Sequence, residues 1–165
     1  MSALSVKEMG AAFRLLVQEV ELAGMTPLGY LARMAKAYPE PGTGLETDVK
    51  SVLAAAPDAT NERGFLVRGD FIISVRAESA SDKPEEPFLK LRYTVLGQYV
   101  VGEGFTHALE DALLKQFAET NAMVHFWPYL RSFVSGACGE LNIPPIMLPL
   151  LKPPKILPAS QPADE

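Results

Sequence analysis

Two stretches between Phe65 and Val101 carry apolar residues at every odd position, a period of two. Phe65, Val67, Gly69, Phe71, Ile73, Val75 and Ala77 take every odd position, with Arg68, Asp70, Ser74 and Arg76 between them. Leu89, Leu91, Tyr93, Val95, Gly97, Tyr99 and Val101 repeat the pattern against Lys90, Arg92, Thr94 and Gln98. Side chains of a strand point alternately to opposite faces, so each run predicts a long strand with one apolar face. Glu78 to Pro87 is rich in Ser, Asp, Glu and Pro, which predicts a polar connector joining two antiparallel strands.

The rest of the chain is less regular. Phe13, Leu15 and Val17 take odd positions and Val20 and Leu22 even ones, so the apolar parity changes between them. One extra residue in a bulge produces that change, so Phe13–Leu22 reads as a bulged strand. Phe13, Leu16, Val17 and Val20 also fit a helical period, which stays open as the alternative. From Gly24 to Gly64 the chain reads as one long connection, a length that marks functional or disordered segments. Within it Leu28, Leu31, Ala32, Met34 and Ala35 predict a short amphipathic helix, stopped by Pro39 and Pro41. Thr47–Ala56 reads as a further helical turn or two.

Beyond Thr106 the period is helical. Leu109, Ala112, Leu113, Gln116 and Phe117 share a face, and Glu110 and Asp111 sit in the first turn, where the helix dipole favours acids. Asn121 is positioned to cap a second helix, whose apolar stripe is Met123, Phe126, Trp127, Leu130, Phe133, Val134 and Ala137. Pro128 lies inside that stripe and should kink it or open a turn. Gly136 and Gly139 weaken the far end and allow the stop. The proline-punctuated run Leu141–Leu151 reads as an extended segment packed on the body. One domain over residues 1–152 and a mobile Pro-rich tail over 153–165 complete the expected organisation.

Composition narrows the function. A chain of 165 residues with 48% hydrophobic and 21% charged residues suits one globular domain. The net charge of −5, with scattered Lys and Arg, argues against a nucleic-acid partner. No apolar run approaches the roughly 20 residues that span a bilayer, so no membrane insertion is expected. The first residues, Met1-Ser-Ala-Leu-Ser-Val-Lys-Glu, do not read as a signal peptide. A single cysteine, Cys138, excludes an internal disulfide, and a cytoplasmic location is expected.

Candidate chemistry is sparse. His107 has Glu110 and Asp111 at i+3 and i+4, but no further ligand completes a metal site. His125 lies among aromatics and reads as a packing residue. Cys138 sits at a helix C-terminus, where the dipole opposes a thiolate. Gly102-Glu-Gly104 lacks the third glycine, the lysine and the Ser/Thr of a phosphate cradle. No cofactor, no metal and no enzyme activity are expected.

The segment His125-Phe-Trp-Pro-Tyr-Leu-Arg131, followed by Leu141-Asn-Ile-Pro-Pro-Ile-Met-Leu-Pro-Leu-Leu151, resembles the C-terminal core of the SecB-like chaperones. The resemblance extends back to Phe65 through the two strands and Gly97, with a weaker echo at Phe13–Leu22. It implies an α+β fold: a four-stranded antiparallel sheet with helices on one face. It also implies a homotetramer, in which sheet edges pair into dimers and dimers stack through helices. On that reading Leu91, Tyr93 and Val95 tune the assembly, and Phe126, Trp127, Leu130 and Phe133 lie at an oligomer interface. On periodicity alone, the same helix stripe is plain core.

The implied function is that of an ATP-independent holdase, binding unfolded preproteins in protein export. Its apolar grooves would be lined here by Leu28, Tyr30, Leu31 and Met34. Export chaperones of the family carry a Cys/His zinc motif in the tail that docks on the translocase ATPase SecA. Lys152–Glu165 has no Cys or His, which puts SecA docking through such a tail in doubt. Toxin–antitoxin-associated relatives often lack that motif too, so a dedicated client such as an antitoxin is the alternative. A scaffold reusing the fold to hold one folded partner is a third reading.

Overall fold

The computed structural model describes residues 6–78 and 86–151. The polar connector expected from Glu78 to Pro87 falls largely outside the described residues, as does the tail 153–165. The elements are α1 (Val6–Glu19), β1 (Val20–Met34), β2 (Leu45–Pro57), β3 (Gly64–Ala77), β4 (Leu89–Val101), α2 (Asp111–Phe117) and α3 (Met123–Glu140). A π-helical stretch, Ala118–Ala122, joins α2 to α3. The four strands form one antiparallel sheet in the order β1-β4-β3-β2.

The two central strands are those the alternating pattern predicts. Phe71 faces Tyr93 and Ile73 faces Leu91, so the odd residues of both strands share one face. Phe65, Val67, Ile73, Val75, Leu89, Leu91 and Val95 are fully buried there under the helices. Gly69 and Gly97 create a hollow in that face. A Cβ at Gly69 would lie 2.8 Å from the Phe126 ring, and one at Gly97 would lie 2.7 Å from it. The helix therefore sits close to the sheet because two strand positions have no side chain.

The N-terminal half departs from the expectations. Phe13–Leu22 is not a bulged strand: the chain is helical to Glu19, and only Val20–Leu22 are extended. Ala12 and Leu16, one helical turn apart, are both fully buried, and this spacing prevails over the alternation at 13, 15 and 17. The short helix expected over Leu28–Ala35 is also absent, because that segment is the second half of β1. Its register against β4 shifts between Leu22 and Gly24 and again between Pro27 and Gly29. The residues facing the helices are therefore Val20 and Leu22, then Met25 and Pro27, then Tyr30, Ala32 and Met34. Two changes of parity within one strand give its apolar residues a falsely helical spacing.

Likewise Thr47–Ala56 is strand, not helical turns. As an edge strand β2 is mostly half-exposed, so its alternation is faint, and the Ala54–Ala56 run carries little strand signal. The long connection thus shrinks to 35–44, which crosses the end of the sheet from β1 to β2. The Ala35 amide donates to the Phe88 carbonyl at 2.8 Å, and the Tyr38 ring meets Phe88 edge-on at 5.4 Å. At the far side the Glu78 amide donates to the Gly44 carbonyl at 2.8 Å.

The C-terminal helices are continuous. Asn121 caps nothing, since it lies inside the π-helical stretch, and α2 starts only after Glu110. Phe117 and Phe126 are half a turn out of phase on a regular α-helix, yet both are fully buried. The wide turn between them absorbs the mismatch. α3 runs through Pro128 to Glu140. Its stop is set by Asn142 rather than by Gly136 or Gly139, which lie within the helix. Asn142 has φ 52°, its amide donates to the Gly139 carbonyl at 3.1 Å, and the Ile143 amide donates to the Cys138 carbonyl at 3.0 Å. This is a Schellman cap with Asn in the left-handed position and Pro144 just beyond it. The following segment packs on the body as expected: Ile146 and Leu148 are buried, and the Trp127 indole donates to the Pro149 carbonyl at 3.0 Å.

Candidate functional site: an aromatic groove beside an open sheet edge

Among the described residues polar side-chain contacts are few and scattered. His125 Nδ1 lies 3.2 Å from the Tyr99 hydroxyl, and burial lowers the histidine's pKa while raising the tyrosine's. Cys138 is free and buried. Among the described residues no cluster of three or more His, Cys, Asp or Glu could hold a metal, and no helix is long and apolar enough to cross a membrane. The distinctive surface is apolar.

That surface is a groove of about 350 Å³ between β1 and α3. Pro27 and Tyr30 form the strand side, Tyr93 the floor, and Tyr129, Phe133 and Gly136 the helix side. Phe133 stacks on Tyr93 at 4.6 Å and 11° and meets Tyr30 at 5.8 Å and 58°. Local structure explains the convergence. Tyr30 pairs directly with Tyr93, which places both on the helix side of the sheet. Without the extra residue at Leu28 the register would slip by one and send Tyr30 to the opposite face. On the helix, Tyr129, Phe133 and Gly136 recur at four and three residues, one side of α3. A Cβ at Gly136 would meet nothing within 4 Å, so this wall is low. Burial and the nearby Tyr129 hydroxyl raise the Tyr93 pKa, keeping the floor uncharged.

Tyr30 remains 64% exposed and Tyr129 43%, although both are large aromatics in a lined depression. The neighbouring backbone is open as well. β1 and β2 are the sheet's edge strands, and among the described residues no further strand pairs with the outer side of either along its 15 or 13 residues. Unpaired edges of this length are templates for another chain.

The residues expected to bind client do not line one groove. Tyr30 lies in it. Met34 is on the same face but half-buried opposite Leu89, and Leu28 occupies the bulge, exposed. Leu31 pairs with Arg92 and points to the opposite side of the sheet. Of the residues assigned to an oligomer interface, Leu91, Val95, Phe126 and Leu130 are fully buried within this single chain. Tyr93, Phe133 and Trp127 retain some surface. The structure thus joins Tyr30 to Tyr93 and Phe133, which the sequence reading had assigned to separate roles. It adds Tyr129, Pro27 and Gly136. Tyr129 was legible as an aromatic on the flank of the α3 stripe, outside its buried centre.

A four-stranded antiparallel sheet with its helices packed on one face is the fold of the SecB-like proteins, and the comparisons agree. The chain superposes on the Mycobacterium tuberculosis Rv1957 SecB-like chaperone, solved in complex with a ChAD peptide from the Rv1956 HigA1 antitoxin. The TM-score is 0.72 at 19% identity, covering 87% of this chain and 99% of that one. In sequence it is 26% identical over 134 residues to the same SecB-like chaperone Rv1957, covering 74% of each chain. A stretch of 48 residues is 40% identical to the uncharacterized protein MJ0357 of Methanocaldococcus jannaschii, covering 28% of this chain and 31% of that one. No protein-family model matches the chain. The protein is a relative of the SecB-like chaperones in sequence and shares their fold.

Proposed function

We propose that the protein is an ATP-independent chaperone that holds a non-native polypeptide in the groove between β1 and α3. The observation that carries this reading is the exposed aromatic lining, Tyr30 and Tyr129 over the Tyr93–Phe133 stack. Aromatic rings offer large apolar contact at small conformational cost, which suits segments of varied sequence. The open edge of β1 beside them can pair with the backbone of an extended client while its alternate side chains enter the groove. The relative solved with an antitoxin peptide supports a polypeptide client, and a dedicated one. General capture of preproteins for export is the broader version of the same activity.

Assembly into a homotetramer is part of the reading. Pairing between copies would cover strand edges that are liabilities in a lone chain, and several grooves acting on one client would raise modest affinities through avidity. The test is suppression of aggregation of an unfolded polypeptide by the purified protein, followed by light scattering. Tyr30→Ser with Phe133→Ser should abolish suppression while circular dichroism shows an intact fold. Undiminished suppression would overturn the assignment to this groove. Competition by unrelated unfolded chains separates a general chaperone from one devoted to a single client.

A further inference from the structure

The opposite face of the sheet carries a second surface. The strand registers align one row across all four strands: Leu31 on β1, Arg92 on β4, Ile72 on β3 and Lys50 on β2. Apolar and cationic side chains alternate along it, and all four are exposed. Around Arg92, Ile72 and Lys50 lies a shallow depression of about 520 Å³, whose lining includes Val52, 69% exposed, as well as Arg68 and Asp70. The one acid in that lining is already committed. Asp70 accepts from both ends of the Arg68 guanidinium at 2.8 and 3.0 Å and from the Thr94 hydroxyl at 2.8 Å. Those bonds hold its pKa below the usual carboxylate range. Arg92 and Lys50 have no carboxylate within ion-pair distance among the described residues. Asp70 feels Arg92 at longer range, but neither cation is ion-paired, and partly exposed Ile72 lies between them on a chain whose net charge is −5.

We propose that this face docks an acidic polypeptide segment in which carboxylates recur at every third residue with apolar side chains between them. Arg92 and Lys50 stand two strands apart, roughly 10 Å at the usual interstrand spacing. A segment in the polyproline II conformation, three residues per turn at about 3.1 Å each, returns every third residue to one face about 9 Å along. Acids at that spacing meet both cations while the apolar side chains between them lie toward Ile72. A nucleic acid fits less well, because the overall negative charge repels a polyanion and no aromatic on this row offers a stacking platform. The surface lies on the side of the sheet away from the client groove, so a chaperone could hold a client and an acidic partner together.

The probe is a short fluorescent peptide repeating Glu-Leu-Ser, measured by anisotropy at low ionic strength. The expected result is saturable binding that weakens with added salt and falls by about tenfold or more in Lys50→Glu/Arg92→Glu. Lys50→Gln/Arg92→Gln, which leaves the face without new charge, should also bind more weakly and guards against a folding defect in the reversal variant. Binding should be unchanged in Tyr30→Ser/Phe133→Ser. Full-strength binding by the glutamine variant overturns the proposal. So does loss of binding in the groove variant, which would place the peptide in the client site. Equal binding of a Glu-Ser-Ser peptide, or of single-stranded DNA, would reduce the surface to a non-specific anion sink and also overturn it.

Discussion

Phe133 of α3 lies flat on Tyr93 of β4, ring centroids 4.6 Å apart and planes within 11° of parallel. Neither ring is free to move without the other, so the floor of the groove is fixed by contact between a helix and the sheet. Tyr30, paired across the strand with Tyr93 and leaning on Phe133 at 5.8 Å, is the exposed partner, with most of its surface in solvent. A rigid floor with an adjustable exposed edge can accept different apolar side chains without reorganising the core.

The close approach of α3 to the sheet makes Gly97 irreplaceable. A Cβ there would lie 2.7 Å from the Phe126 ring and 2.9 Å from that of Tyr99, both buried aromatics with no room to retreat. Gly97→Ala should cost about 1–3 kcal/mol in urea denaturation, the usual penalty for overpacking a core. Gly136→Ala, where nothing lies within 4 Å, should leave stability equal or slightly raised. Similar midpoints for the two variants would mean that the helix can lift from the sheet.

His125 makes stability depend on pH. Burial lowers its pKa below the ordinary 6.5, so the folded chain binds this proton less readily than the unfolded chain. Its contribution is therefore complete above the unfolded value and declines as pH falls through it. The melting temperature should fall as pH drops below about 6.5, where the unfolded histidine takes up its proton and the folded one does not. His125→Gln should flatten that dependence. An unchanged slope in the variant would assign the effect to another group.

Asn142 ends α3 from the left-handed region, at φ 52°. Asn142→Gly should preserve or slightly improve stability, whereas Asn142→Val should lose about 1–2 kcal/mol, because a β-branched side chain is strained there. Thermal melts of the two variants check the sign. The cap also aims the following segment at Trp127 and Pro149, so the valine variant should expose the indole, seen as a red shift in its fluorescence.

The sequence disclosed the fold unevenly, for physical reasons. β3 and β4 are buried on one face along almost their whole length, so their odd positions are uniformly apolar and needed no other information. β1 carries two bulges and β2 is a half-exposed edge, and both therefore lost the period that identifies a strand. The π-helical stretch likewise concealed the continuity of α2 and α3, since Asn121 looks like a cap. Resemblance supplied what periodicity could not, the four-stranded sheet and its helix layer. The groove was visible in part. Tyr30 was recognised as a contact residue, but Tyr93 and Phe133 were assigned elsewhere, because only the register at the Leu28 bulge brings them together.

Tyr30 and Leu31 offer the sharpest test of where a client binds. They are neighbours in sequence and both are largely exposed, so serine at either position should change stability by well under 1 kcal/mol. They nevertheless point to opposite sides of the sheet, Tyr30 opposite Tyr93 and Leu31 opposite Arg92. If the client lies in the aromatic groove, Tyr30→Ser should weaken its binding several-fold, since a large aromatic contact is lost, while Leu31→Ser binds as the parent does. Isothermal titration of both variants with one unfolded polypeptide measures this directly, and melting curves on the same samples verify the fold. The reverse pattern would move the client to the cationic face. Equal losses in both variants would mean that the client grips the β1 edge through its backbone and wraps around both sides.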